Sequence, residues 1–589
     1  MKHPAPSIIL AILLAICLTS FSQGIWTPLN NLAPNLNSGV MLLLTDGTVI
    51  TNTADDMDVY STTWNKLTPD STGSYVNGTW STIAPMIDTR LYFASQVLQN
   101  GKVYVAGGEY GTGSGSAEIY DPLADTWTSI IVVDSSSIIY DGNSQLLPDG
   151  RVMQNVVIDD SIGYGIKNFI YDPVADTFSI GAMCLQNADE APWVKLADNS
   201  ILFEDFGDTL TERYIPALDL WIRDSSMPFI LNDTFVWDNG PGLLLPNGKA
   251  FFIGSTGQTL TYTPSGDTTL GSWLATSSVP NGNSMTDGAA AMMADGHILC
   301  ATSPAPNGYS NDSSFYSPTY FYDYNYITDS FVPVLSPDGF DALYGIVCYE
   351  TNMLDLPDGT VLFSVQSLNQ YYIYTPGNAP LAAGKPTINT VSQTGCDFMI
   401  TGTLFNGISQ GAAYGDDWQM ATNYPIVRLI AYGKTYYART TRWNSTGVQR
   451  GALPDTAYFT IPDSTLRSGN YALLLSANGI SSDTFNIAFV QCRPAPPTGI
   501  ADIYNTPVQL KANPNPANGQ TELSFTTTAA GNYVIKLTDV CGKILLTQPG
   551  QAVPGNNLST LQLTGIAKGI YMATFEMSGE RGTTKIVVQ

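Results

Sequence analysis

The sequence predicts an all-β protein whose main body is a seven-bladed β-propeller. Three observations carry that expectation. The composition is poor in charged helix formers, one hairpin pattern recurs seven times, and a lone aromatic strand stands at the expected mature N-terminus. Charged residues make up 13% of the 589, whereas Gly, Pro and Tyr number 53, 36 and 32. Such a mixture suits short strands joined by tight turns. The length exceeds what one hydrophobic core usually holds, so several domains are expected.

The recurring pattern is an apolar strand, a two-residue turn and a second apolar strand, as in LLLTDGTVIT, QVLQNGKVYV and LDLPDGTVLF. The turns fall at Asp46, Asn100, Asp149, Asp198, Asn247, Asp295 and Asp358, in steps of 54, 49, 49, 49, 48 and 63 residues. Asp-Gly and Asn-Gly tolerate the positive φ angles of a type I′ turn, so each instance reads as a β-hairpin of that type. Asp198-Asn199 substitutes Asn, which also tolerates positive φ.

A weaker pattern follows each hairpin: a Tyr-containing strand, a polar turn and an aromatic. Tyr120 with Trp127, Tyr171 with Phe178, Tyr214 with Trp221 and Tyr262 with Trp273 are the clear cases. Four strands per unit of about 50 residues make a propeller blade of the kelch type, with the aromatics read as packing between blades. The seventh unit lacks its aromatic strand, and a ring must close or leave an edge exposed. Ile25 to Pro28, carrying Trp26, is therefore expected to complete the last blade.

Around this ring, residues 1–22 read as a signal peptide. Lys2 gives the positive end, Ile8 to Leu18 the apolar run, and Ser20 and Ser22 the small residues before a cut at Ser22–Gln23. A lipoprotein signal at Cys17 fits poorly, because Ile16 stands where a small residue is needed. No other run is long enough to cross a membrane as a helix. The propeller is expected over 24–380, an Ig-like β-sandwich over 385–492, a Pro-rich linker over 493–507 and a second small sandwich over 508–589. Removing Cys17 leaves six of the seven cysteines. Spacing alone does not pair them. Cys396 and Cys492, near the two ends of one expected domain, are the first pair to consider. The net charge of −26 and pI near 4.2 argue against nucleic acid and anionic membranes as partners.

Two family resemblances follow from specific stretches. The propeller with GTLFNGISQGAAYGDDWQMATNYPIVRL and YYARTTRWNSTGV resembles the galactose oxidase-like proteins over roughly residues 24–492. The segments ANPNPANGQTELSF, DVCGKIL, GIAKGIYMATF and KIVVQ resemble the type A sorting domain of the type IX secretion system of Bacteroidetes. The second resemblance implies export by that machinery, removal of the tail, and release or attachment at the cell surface.

The first resemblance implies copper held by two Tyr and two His, with one Tyr cross-linked to a Cys. Imidazole suits Cu(II), but the mature chain keeps only His297, placed just after a hairpin turn. In the matching frames Arg90 and Tyr92 are retained, and Ser38 stands for the Cys. Tyr349 is retained, Glu350 replaces one His and Arg442 the other. No copper or other cofactor is therefore expected. Arg90, Tyr92, Tyr349, Glu350 and Arg442 become a candidate ligand pocket near the propeller axis instead. A serine triad would need His297 as its base. No D-x-D-x-D-G calcium loop occurs. Acidic pairs such as Asp159-Asp160 and Asp416-Asp417 fit solvated loops. The leading expectation is a non-catalytic secreted or surface protein binding a glycan or another extracellular ligand, its Tyr residues stacking on sugar. The alternatives are a carbohydrate-active enzyme using carboxylates and, last, a copper radical oxidase.

Overall fold

A computed structural model describes residues 24–589 except 54–59, 131, 133–136, 160–164, 190, 206, 233–238, 307–314, 415–417, 420–421, 462–465, 492–505, 540–542 and 578–579. The signal segment, with Ser22 and Gln23, lies outside the described residues, as do Cys492, Cys541, Asp160, Asp416 and Asp417. Two compact units divide at Cys492 and Arg493.

In the first unit, the described residues include seven antiparallel blade sheets arranged as the hairpin repeat requires, six built on four blade strands in chain order and the seventh on three such strands and an N-terminal one. Blade 1 runs Met41–Leu43, Val49–Asn52, Trp64–Thr68 and Thr79–Thr82, and its register pairs Leu42 with Ile50 and Leu67 with Trp80. Blade 7 closes as the sequence anticipates. Ile25–Pro28 pairs antiparallel with Tyr372–Thr375, and Trp26 lies opposite Tyr374. The Trp26 ring packs on Tyr374, Phe363 and Phe321 at centroid distances of 4.7, 5.1 and 5.4 Å.

The inner turns differ from the expected type I′. Positive φ occurs at Gly47, Gly101, Gly150, Asn199, Gly248, Gly296 and Gly359, but not at the residue before each. In blade 1, Leu44 N donates to Thr48 O and Gly47 N to Leu44 O. This is a type I turn followed by one left-handed residue, the three-residue hairpin with a G1 bulge. The Asp or Asn before it has a different task. Asp46 Oδ1 accepts the Thr48 N–H at 3.1 Å, and Asn100, Asp149, Asp198, Asn247, Asp295 and Asp358 repeat that bond.

The outer strands explain the tyrosines. Tyr120, Tyr171, Tyr214 and Tyr324 pack on Trp127, Phe178, Trp221 and Phe331. Each donates its hydroxyl to an Asp five residues on, namely Asp125, Asp176, Asp219 and Asp329, at 2.8–2.9 Å. Those four Asp residues have positive φ, so one turn residue both reverses the chain and satisfies a buried hydroxyl.

After Pro380 two sheets share the strand Lys434–Thr441. It pairs with Ile426–Ala431 through its first half and with Asp455–Thr460 through its last three residues. Phe398 stacks on Phe459 at 4.7 Å within the core between them. Cys396 is disulfide-bonded. Gln393, three residues before it, bonds both to Val490 O at 2.6 Å and to Val490 N at 3.1 Å, which holds the end of this domain beside the strand turn carrying Cys396. Cys184, Cys300 and Cys348 are buried free thiols.

The second unit is a compact β domain with long strands, among them Gln520–Thr527, Gly531–Thr538, Gly569–Met577 and Glu580–Val588. Its core centres on Phe525, Tyr533, Ile535, Phe575 and Ile586, with Phe525 and Phe575 at 4.4 Å.

Candidate functional site at the open face of the propeller

The hairpin turns decide which face of the ring is covered. Thr440 N donates to Thr45 O, Arg442 N to Gln99 O, Gln449 Nε2 to Leu245 O and Ser481 Oγ to Pro357 O. Thr446 Oγ1 donates to Leu147 O at 2.7 Å. The sandwich therefore caps the turn face of blades 1, 2, 3, 5 and 7. It also sends a hairpin into the ring. Gln410–Tyr414 pairs with Gly242–Leu244, the innermost strand of blade 5, and Trp418–Gln419 pairs back onto it. The opposite face, where inner strands begin and second strands end, is left to the loops, as in other rigid scaffolds that carry binding loops.

On that open face blades 1 to 4 gather tyrosines and carboxyls. Tyr110 stacks on Tyr60 at 6.0 Å and meets Tyr92 edge-on at 6.2 Å. Glu109 N donates to Tyr92 O, and Gly108 N to Tyr140 O. Burial raises the Glu109 carboxyl above its ordinary pKa, although a hydrogen bond with Tyr110 pulls the other way. Burial likewise raises Asp189, which is hydrogen-bonded to Asp141. Two carboxyls in such a bond hold one proton between them more readily than they hold two charges. Tyr92 and Tyr140 both sit at positive φ, 51° and 57°. A bulky residue there is strained, and strain of that kind concentrates at functional sites.

The structure brings together three of the five expected pocket residues, around a residue the sequence reading missed. Gln366 is 1% exposed. Its Nε2 reaches the Tyr92 hydroxyl at 3.3 Å and Tyr349 O at 3.4 Å, while its N–H donates to Glu350 O at 2.8 Å. Ser38 N donates to Gln366 O, so the segment standing for the family's Cys also arrives here. No motif marks Gln366. The only available signal is its position at the end of the second strand of blade 7, which is visible once the blades are drawn.

Two expected members are corrected. Arg90 is fully buried within blade 2, bonded to Gly107 O, Gly113 O, Ser116 and, at 3.0 Å, Glu118. A desolvated guanidinium needs that enclosure of acceptors, so it holds the fold rather than a ligand. Arg442 lies on the covered side. Its backbone meets a turn of blade 2, and its side chain, 55% exposed, lies over the Tyr458 ring at 4.3 Å and 3.6 Å from Asp397. Glu350 turns its carboxylate back to accept the Val347 N–H at 2.8 Å.

These residues do not fit the copper centre that the resemblance implies. His297 lies by its hairpin turn on the covered side and bonds Asp323 at 2.7 Å. Glu350 and Arg442 supply no neutral nitrogen ligand. Of the acidic pairs, Asp159 belongs to the short strand Ile158–Asp159.

Residues 511–589 match the secretion system C-terminal sorting domain, and residues 90–130, which include all four strands of blade 2, match the kelch motif. An F-box/kelch-repeat protein of Arabidopsis thaliana is 38% identical over 162 residues, which are 26% of this chain and 40% of that protein. The chain thus spans less than half the length of that relative. A solved fungal alcohol oxidase of the AA5 family, in complex with copper, is 14% identical, covering 79% of this chain and 99% of that one with a TM-score of 0.47. The chain carries a kelch motif within its β-propeller and a sorting domain at its C-terminal end. That domain places it among proteins handled by the type IX secretion machinery and secreted or attached at the cell surface.

Proposed function

We propose that this is a non-catalytic extracellular binding protein that takes a glycan at the open face of its propeller. The observation that carries the reading is the joining of Tyr60, Tyr92 and Tyr110 ring faces with the carboxyls of Glu109, Asp141 and Asp189 on one face of a rigid scaffold. Aromatic faces stack on sugar rings, and carboxylates accept hydroxyl hydrogen bonds. Screening the full-length protein on a glycan array tests this. Binding that Tyr110→Ala weakens at least tenfold supports it, and an array without a specific hit refutes it.

A second reading rests on the same carboxyls. A carboxyl whose pKa is raised by burial, beside another that can ionise, has the makings of a general acid paired with a base or nucleophile. Release of reducing ends from an array-positive polysaccharide, lost in Asp189→Asn, would favour a carbohydrate-active enzyme. Binding without product favours the first reading.

A further inference from the structure

The open-face site has a chemical bias that its outline alone does not reveal. Five amide side chains sit where the inner two strands of blades 1, 3, 5 and 7 end or begin at this face: Asn52, Asn155, Asn239, Asn352 and Gln366. Each is at most 1% exposed. In each the amide oxygen has no hydrogen-bond donor, and Asn239 leaves its nitrogen unpartnered too. Asn52 and Gln366 line the same small cavity with Tyr92. Native proteins satisfy nearly all such atoms, so those at this face call for donors from water or from a ligand. The set contains five acceptor oxygens and one donor nitrogen, so the complement is rich in donors. An ammonium group donates three hydrogen bonds and accepts none.

The charges agree. Among the described residues no Lys or Arg acts on Glu109 or Asp189. Arg90 is committed to blade 2, and the buried Lys167 ammonium donates to Ser137 Oγ in blade 3. Tyr110, 43% exposed, and its neighbours Tyr60 and Tyr92 supply the negative ring faces that attract cations. The net charge of −26 draws cations to the whole molecule.

We propose that the open-face site recognises a primary ammonium carried on a sugar, so that its ligand is an amino-sugar polymer. The inference rests on the glycan-binding reading and narrows it. The stacked tyrosine faces favour a pyranose ring over a peptide as the carrier of the charge.

Calorimetry on the full-length protein tests it with three probes: glucosamine oligomers, the same oligomers fully N-acetylated, and oligolysine. The expected result is binding of the glucosamine oligomer at least tenfold tighter than that of its acetylated twin, with oligolysine weaker than both or silent. Glu109→Gln should reduce the glucosamine affinity about tenfold and leave the acetylated oligomer unchanged. Asp189→Asn provides an independent variant, each checked for a wild-type melting curve. Equal binding of the two sugars overturns the ammonium inference and leaves the glycan reading standing. Binding of oligolysine alone overturns both, and so does the absence of binding to all three probes.

Discussion

Replacing Trp26 by Ala tests the closure of the ring directly. Truncating a fully buried Trp costs about 3–5 kcal/mol. Trp26 is only half-buried, so roughly half to two thirds of that applies. Its indole N–H donates to Leu335 O at 2.7 Å, but the bond is exposed, and water replaces it at little cost. The three ring contacts, to Tyr374, Phe363 and Phe321, carry the rest. Trp26→Ala should therefore destabilise the propeller by about 2–3 kcal/mol, read as a lower urea midpoint at unchanged slope. Ile25→Ala is the control, because Ile25 is 67% exposed and belongs to the same strand. It should shift stability by less than about 0.5 kcal/mol. Deleting Gly24 to Pro28 should do more than either, since it bares the edge of Tyr372–Thr375 and invites concentration-dependent association. A Trp26→Ala midpoint no lower than that of Ile25→Ala would refute the view that this strand closes the ring.

Four other outcomes are expected. Asp224 accepts from Arg213 Nε at 2.9 Å, Tyr262 OH at 2.8 Å and two backbone N–H groups, with both charged side chains fully buried. Asp224→Ala should cost about 3–5 kcal/mol in urea unfolding by stranding Arg213, and a loss below 1 kcal/mol would contradict the assignment. Lys195 is buried, with its ammonium 3.3 Å from Leu146 O, and burial lowers its pKa from 10.5 to about 7. The unfolded chain then binds more protons than the native one between those values, so stability should rise as pH rises through that window. Lys195→Met should abolish that slope, measured as the melting temperature against pH. His297 titrates above its ordinary value because its hydrogen bond to Asp323 favours the charged form. Its contribution is complete below the unfolded pKa and is lost as pH rises through the folded one, which NMR titration against Asp323→Asn would show. Mass spectrometry of protein from its native host should find a mature N-terminus near Gln23 and loss of the segment after about residue 495. An intact tail on released protein would contradict this processing.

The ring was legible because its signal is local. A left-handed residue at each inner turn demands Gly or Asn, and the preceding side chain must cap the turn, so Asp-Gly and Asn-Gly recur whatever the blade packs against. The turn type was misread because the same dipeptide serves both I′ turns and G1 bulges. Only the backbone shows that Asp46 stays at negative φ while Gly47 does not. The missing strand of blade 7 was legible by subtraction, since three strands leave an edge.

The candidate site was less legible for a geometric reason. The repeats mark the ends of the inner hairpins, and in this protein those ends lie under the sandwich. Arg442 was assigned to the pocket through a frame in the sandwich, yet that frame meets blade 2 at Gln99, at the far end of the strand that begins near Tyr92. One blade strand of a few residues at about 3.3 Å each is enough to separate the two faces. Arg90 failed for a complementary reason. It is two residues from Tyr92, and alternate positions along a strand share a face, but Tyr92 stands at positive φ and breaks the alternation. Arg90 is turned inward against Glu118, while Tyr92 reaches Gln366 and Tyr110. The strained residue is thus the point at which blade 2 stops being scaffold. Asn37, Tyr140 and Asp287, also at positive φ just before the inner strands of blades 1, 3 and 6, mark the same boundary around the ring.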